Sequence, residues 1–260
     1  MSIEKTGMCL ECRMTAFSPV WVHTLLEVLA YTLGTQAFLW QRRRLGLGSL
    51  QDKDQTLWVV VGAALGAALG SKMAFWLEDP AIAFANFPDW RHLLEGKSIV
   101  GGLLGGLIGV EVGKKLIGQT QSTGDAFVLP LAVGMCVGRI GCFLAGLADH
   151  TYGSATTLPW GIDFGDGIAR HPTQLYEIVF ILIWTALILG RKQRYSQTGD
   201  CFRLYLAGYL LFRFIVEFIK PIPMVYPLSL SGIQWLCVFG LAYYAKHLPR
   251  LTRELLWDTK

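Results

Sequence analysis

Residues 125–147 read DAFVLPLAVGMCVGRIGCFLAGL, and this run decides the fold class. After Asp125 at its start it carries a single charge, Arg139, in a stretch as long as the roughly 20 apolar residues that cross a bilayer. Its apolar side chains would cover every side of a helix rather than one stripe, as a helix wholly surrounded by lipid or protein requires. A guanidinium inside such a run costs about 2.5–3.5 kcal/mol on insertion scales, so it belongs against a bundle interior or a polar cavity. One segment therefore supplies both the class of protein and its first candidate site residue.

The flanking sequence repeats the pattern. Of the 260 residues 53% are hydrophobic and 16% charged, with a mean hydropathy of +0.42, whereas ordinary soluble domains carry about 25% charged residues. The net charge of +4 is small and dispersed, and no nucleic-acid partner is expected. Seven apolar segments predict an all-α integral membrane protein with spans near 19–40, 57–77, 99–118, 125–147, 174–190, 202–219 and 226–245. The first and fourth are the clearest, and the third is weakened by Glu111, Lys114 and Lys115 at its end. The first run exceeds the apolar core of a signal peptide and contains Pro19 and Glu27, so no cleavable leader is expected.

Orientation follows from lysine and arginine in the connections. Arg42, Arg43, Arg44, Lys53, Lys114, Lys115, Arg191, Lys192, Arg194, Arg203, Lys246, Arg250, Arg253 and Lys260 fall on one side. Lys5, Arg13, Arg91, Lys97, Arg170 and Lys220 fall on the other. Fourteen against six places the N-terminus outside and the C-terminus in the cytoplasm. The expected organisation is an external segment 1–18, a membrane domain 19–245 with outer loops 78–98 and 148–173, and a cytoplasmic tail 246–260.

Small residues recur where helices should meet. Gly62, Gly66 and Gly70 are spaced by four, as are Gly101, Gly105, Gly109 and Gly113, and Gly134 with Gly138. Such rows let backbones approach closely in lipid. The six cysteines are not a disulfide framework: Cys136, Cys142 and Cys237 lie in spans and Cys201 at a span boundary. A cysteine in a span reads first as inert packing. Cys9 and Cys12 form a lone CxxC, a weak signal for redox chemistry or metal binding. No resident cofactor or metal is expected. Loop 78–98, with Pro80, Pro88 and Trp90 following Trp76, reads as an interfacial segment. Loop 148–173 is dense in titratable groups: Asp149, His150, Asp163, Asp166, Arg170 and His171.

Inside the spans stand Glu27, Lys72, Arg139, Glu177, Arg213 and Glu217. Arg213 and Glu217, four apart, share a helix face and can pair. That pair read alone is a neutral structural pin. Arg139 adds a second guanidinium, with Gly138 and Gly141 expected to clear space around it. Guanidinium forks bind phosphate bidentately and stay charged when desolvated. Together Arg139 and Arg213 are expected to clamp the phosphodiester of an anionic phospholipid.

The strings Gly138-Arg139-Ile140-Gly141-Cys142-Phe143, Leu158-Pro159-Trp160-Gly161 and Arg170-His171-Pro172-Thr173-Gln174-Leu175-Tyr176-Glu177 resemble the bacterial prolipoprotein diacylglyceryl transferases. So do Phe212-Arg213-Phe214-Ile215-Val216-Glu217-Phe218 and Gln234, and the likeness runs in order over about residues 20–245. It implies a multi-pass, seven-helix protein of the bacterial cytoplasmic (inner) membrane. It also implies an activity: the diacylglyceryl group of phosphatidylglycerol moves to the lipobox cysteine thiol of a prolipoprotein, and glycerol phosphate leaves. Arg139, Arg213 and Glu217 would then be catalytic. Lys72, Gly138, Gly153, His171, Gln174, Tyr176 and Glu177 would join Arg139 in binding substrate.

The chain departs from the family at chemically important places. The family's histidine before Gly-Gly is Val100, its asparagine after the Gly-Arg motif is Cys142, and an arginine of the second span is Lys72. The acidic segment after the arginine motif becomes Gly146-Leu147-Ala148-Asp149-His150, two residues longer. With Val100 the obvious base is gone. His150, with Asp149 to orient it, is a candidate substitute proton acceptor; the other reading of it is a solvated surface histidine. The alternative is a catalytically lapsed relative that binds or presents phospholipid; a transporter fits less well, since no inverted repeat is visible.

Overall fold

A computed structural model describes residues 19–45, 53–85 and 96–256 of the chain. Cys9, Cys12, Pro88, Trp90, Arg91 and His92 lie outside the described residues. The described residues form helices α1 (Pro19–Leu45), α2 (Lys53–Glu78), α3 (Pro80–Phe84), α4 (Ile99–Leu116), α5 (Val128–Ala145), α6 (Thr173–Gly190), α7 (Asp200–Val216), α8 (Gly232–Tyr244) and α9 (Leu248–Leu256). A two-residue hairpin, β1 (Ile162–Asp163) against β2 (Ala169–Arg170), is the only sheet among them.

Each of the seven apolar segments contains one long helix. Among the described residues, three stretches are long and apolar enough to cross a membrane: Gln55–Glu78, Gly124–Asp149 and Thr173–Gly190. The fourth segment is thus as apolar as expected. The first, expected to be equally clear, falls short because His23, Thr24, Glu27, Thr32, Thr35 and Gln36 punctuate α1. The last segment was placed at 226–245, but its helix begins only at Gly232. Ser231 caps it, accepting from the Gln234 amide (3.1 Å), while Gln234 Oε1 accepts from the Ser231 amide (2.8 Å).

Two kinds of contact hold the bundle. Between α2 and α4 the glycine rows face each other so closely that side chains are excluded. A Cβ on Gly66 would lie 2.2 Å from the Gly105 carbonyl oxygen, and one on Gly70 would lie 2.4 Å from that of Gly101. The opposite face of α2 presents Leu65, Leu69 and Met73, each 61–66% exposed, at fourfold spacing. With no water to exclude, backbone contact on one face and apolar side chains toward lipid on the other is the arrangement a bilayer favours. Helix α7 is the contrary case. Leu204, Tyr205, Leu206, Tyr209 and Leu210 are buried, while Leu211 and Ile215 near its end stay exposed. It is the central rod on which the site is built.

The short connections are organised by local hydrogen bonds. Asp163 Oδ1 accepts from the amides of Gly165, Asp166 and Gly167, closing the hairpin turn (2.8–3.1 Å). Arg170 donates both Nη groups to Asp166 (2.7 Å each) and lies over the Tyr152 ring at 5.0 Å. These charged loop residues therefore have structural partners.

Candidate functional site

Helices α5, α6 and α7 bring three distant motifs together. Arg139 on α5 donates from Nη2 to Glu177 Oε2 on α6 (2.8 Å), and Tyr209 on α7 donates to Glu177 Oε1 (2.8 Å). One turn along α7, Arg213 Nη1 lies 2.8 Å from Glu217 Oε2 as an ion pair, though that oxygen accepts no hydrogen bond, and Ser231 Oγ ahead of α8 donates to Glu217 Oε1 (3.1 Å). All four ionic side chains are buried, and the two pairs act electrostatically on each other. The expected Arg213–Glu217 pair forms. The Arg139–Glu177 pair joins residues 38 apart, on separate helices.

The guanidinium groups retain capacity. Arg139 Nε is buried and makes no hydrogen bond, and its Nη1 reaches only the Cys142 sulfur, at 3.8 Å. A Cβ on Gly138 would meet nothing within 4 Å, so open space lies beside Arg139 there. Gly141 has a different task from the one expected. A Cβ there would stand 3.1 Å from Leu26 Cβ and 3.7 Å from the His23 carbonyl, so Gly141 admits α1 rather than clearing room for the guanidinium.

The start of α6 forms a second wall. Thr173 Oγ1 donates to the Thr151 carbonyl (2.7 Å), and Gln174 Nε2 donates to Thr151 Oγ1 (3.1 Å), while Gln174 Oε1 is buried without a hydrogen-bond partner. Gly153 is where the outer loop crosses this end. Its amide donates to the His171 carbonyl (2.9 Å), and a Cβ would sit 2.6 Å from His171 Cβ and 2.8 Å from the Ile219 carbonyl. His171 Nδ1 lies 3.2 Å from the Tyr176 hydroxyl, which also accepts from Trp160 Nε1 (2.8 Å). Trp160 and Tyr176, with Pro159, Gly161, Ile162, Pro172 and Leu175, line an open cavity of about 750 Å³. The aromatic tips hold one another in place, and the cavity offers an apolar wall beside the ionic cluster.

Other expected members are elsewhere. Lys72 Nζ donates to the Gly96 carbonyl (2.7 Å), and Glu27 pairs with Lys97. Val100 is buried in the apolar core at the first turn of α4, with no titratable atom to offer. His150 is exposed in a left-handed backbone conformation (φ 52°), its ring 6.4 Å from that of Tyr152. Asp149 turns instead toward α1 and Thr151: its Oδ1 is 3.5 Å from His23 Nδ1, and its Oδ2 accepts from Thr151 Oγ1.

Two members went unnoticed in the sequence. Lys220, read as an ordinary loop cation, lies just beyond α7 among Glu78, Glu217, Arg213 and Arg139; burial, with the two guanidinium groups, pushes its amine down to about 8. His23 joins Cys142 and Asp149 in a tight group, one ligand atom from each lying within 4.8 Å of the others. Neither could be found from spacing along the chain, because each contact joins separate helices or loops.

A bundle of apolar helices around two buried arginine–carboxylate pairs defines a membrane protein with an enclosed ionic site. The family model described as prolipoprotein diacylglyceryl transferase matches residues 14–246, and the chain belongs to that family. A phosphatidylglycerol–prolipoprotein diacylglyceryl transferase of Geobacter sulfurreducens is 35% identical over 208 residues, covering 74% of this chain and 76% of the relative. Proteins of the same name from Bordetella parapertussis (34% identical; 81% of each chain) and Nitratidesulfovibrio vulgaris strain Miyazaki F (32%; 83% of this chain and 86% of the relative) are similarly close.

Proposed function

We propose that this chain transfers the diacylglyceryl group of phosphatidylglycerol to the lipobox cysteine thiol of a prolipoprotein in the bacterial cytoplasmic membrane. Seven spans, an external N-terminus and a cytoplasmic C-terminus fit the basic-loop asymmetry and put the Arg139 cluster near the outer face. The observation that carries the reading is the surplus of donors on two buried guanidinium groups within a family whose curated relatives bear that activity in their names.

The chemistry follows from the arrangement. The thiol sulfur attacks the glyceryl carbon while the carbon–oxygen bond to phosphate breaks, leaving the electron pair on the phosphate. Arg139 and Arg213 oppose that charge where it grows, in a site that excludes water. Glu177 and Glu217 hold each guanidinium by one edge and leave other N–H groups for the phosphate. Gln174 and Thr151 close the polar wall, and the Trp160–Tyr176 cavity accepts apolar parts of lipid or signal peptide. Among the histidines, His23, which shares Asp149, is better placed than His150 to serve the acceptor thiol.

The test uses purified protein in micelles containing phosphatidylglycerol and a lipobox peptide. Release of glycerol phosphate, matched by a diacylglyceryl mass gain on the peptide cysteine, is expected. Phospholipid binding without either product would instead identify a lapsed relative.

A further inference from the structure

The group formed by His23, Cys142 and Asp149 differs from an ordinary polar contact. It joins the outer turn of α1, the last turn of α5 and the turn after it, and its residues are three different kinds of metal ligand. The ligand atoms lie within 4.8 Å of one another, and His23 Nδ1 lies 3.5 Å from Asp149 Oδ1. In tetrahedral zinc sites, bonds of about 2.0–2.3 Å put ligand atoms about 3.3–3.8 Å apart, so closure needs only small side-chain rotations. His23 Nδ1 is buried and makes no hydrogen bond, and Cys142 Sγ lies within 4.8 Å of it and of an Asp149 carboxylate oxygen. A cation would take up the imidazole lone pair and replace the thiol proton.

Charge and second-sphere contacts fit the same occupant. A Cys142 thiolate and Asp149 bring two negative charges, which neutralise a divalent cation, while Arg139 is balanced by Glu177. Asp149 is oriented by Thr151, and Thr151 by Gln174, the kind of supporting shell that holds metal ligands in place. Mixed nitrogen, thiolate and carboxylate donors suit zinc, and three protein ligands leave the fourth position open, as in catalytic rather than structural sites.

We propose that His23, Cys142 and Asp149 bind a zinc ion whose fourth position takes the acceptor thiol. This rests on the transferase reading for the role of the metal, though not for its binding. The incoming thiol displaces a water ligand and its proton passes to solvent, since a coordinated thiol is deprotonated outright. The bound thiolate attacks the glyceryl carbon, the carbon–oxygen bond breaks, and the phosphate leaves with the electron pair. No oxidant or reductant is needed. Arg139 Nη1, 3.8 Å from Cys142 Sγ, puts the phosphate clamp directly beside the metal-bound nucleophile. Two of the substitutions that set this chain apart, Val100 for the family's histidine and Cys142 for its asparagine, then belong to one change: a base is lost and a metal ligand gained.

The experiment uses the full chain in detergent with Cys9 and Cys12 changed to serine, so that the CxxC does not contribute. Elemental analysis should find about one zinc per chain, and Co2+ added to the stripped protein should give a thiolate-to-cobalt charge-transfer band. Cys142→Asn, which restores the family's residue, should abolish the band, and His23→Gln and Asp149→Asn should weaken Co2+ binding by roughly tenfold or more. No band, or a band indifferent to Cys142→Asn, overturns the site. Transfer should be lost on stripping and return with Zn2+. Full transfer by verified metal-free protein overturns the metal's role and leaves the transferase reading standing. Metal binding as described with no transfer in either state defeats the transferase reading instead.

Discussion

Two ionic networks stand at different ends of the helices and are built to different standards. At the end bearing the basic loops, Arg250 on α9 grips Asp200 with both Nη groups (2.7 and 2.8 Å) and reaches Glu254 as well. Arg203 adds a further bond to Asp200 (2.8 Å), and Ser196 donates to Glu254 (2.8 Å). Every carboxylate there is saturated by guanidinium, hydroxyl or amide donors. Around Arg139 and Arg213 each guanidinium meets its carboxylate through a single ion-pair contact, and Arg139 Nε, Glu217 Oε2 and Gln174 Oε1 are buried without a hydrogen-bond partner. An unsatisfied buried polar atom costs about 1–3 kcal/mol, so a network that carries three such atoms is not arranged for stability alone. The first network fastens helices; the second leaves buried polar groups without hydrogen-bond partners, as the proposed ligand site requires.

The comparison breaks most decisively at the guanidinium groups. Arg139→Lys and Arg213→Lys keep the charge beside Glu177 and Glu217 but lose the fork. Transfer, measured as glycerol phosphate release, should fall about 100-fold, the scale of losing one oriented donor to a transition-state charge. The matching Arg250→Lys should leave that rate unchanged. An equal loss at both ends would show that the networks do the same work.

Next in size is stability. Arg250→Ala removes the bidentate bond from Asp200, which is fully buried, and should cost about 2 kcal/mol in denaturation measured in detergent. Burial alone would raise the Asp200 carboxyl, but the bonds from Arg250 and Arg203 outweigh it and hold the group below the usual carboxylate range. A depressed folded-state value stabilises above the unfolded value of about 4 and is lost as pH falls through the folded one. Wild-type stability should therefore decline in acid below about pH 4, and Arg250→Ala should flatten that decline.

A smaller effect sharpens the picture of the ligand-ready end. The Lys220 amine, pushed down to about 8 by burial and by Arg213 and Arg139, is charged below that value and neutral above it. Glu78 and Glu217 face it as well. If its charge helps hold the phosphate, KM for phosphatidylglycerol should rise above pH 8. Lys220→Arg should stay flat there, and Lys220→Met should show a raised KM at every pH, by about fivefold for one such contact. The smallest effect is expected at His150, exposed and apart from Asp149. His150→Gln should change the rate by no more than about twofold, as surface substitutions do. A large loss there would move the thiol's partner from His23 to His150.

The apolar run around Arg139, the charge contrast between loops and the glycine rows were all legible in the chain. Each is a local consequence of bilayer thickness, the cost of buried charge and helical spacing. The four-residue spacing likewise sufficed for Arg213 and Glu217. Adjacency in sequence did not pair Asp149 with His150, because neighbours point different ways once a turn places one carboxylate against α1.

The sequence by itself determined that this is a helical membrane protein with costly charges inside its apolar segments. It also determined membership of a family through the Arg139, His171–Glu177 and Arg213 motifs, which are strings of adjacent residues. Only the tertiary structure decided who partners whom. Glu177 went to Arg139 and Tyr209, Lys220 came into the cluster, and Cys142 met His23 and Asp149. The physical reason is that helix packing fixes these contacts across tens of residues, through glycines such as Gly141 whose missing side chain lets α1 approach. No periodicity along one helix encodes which face of another it will meet.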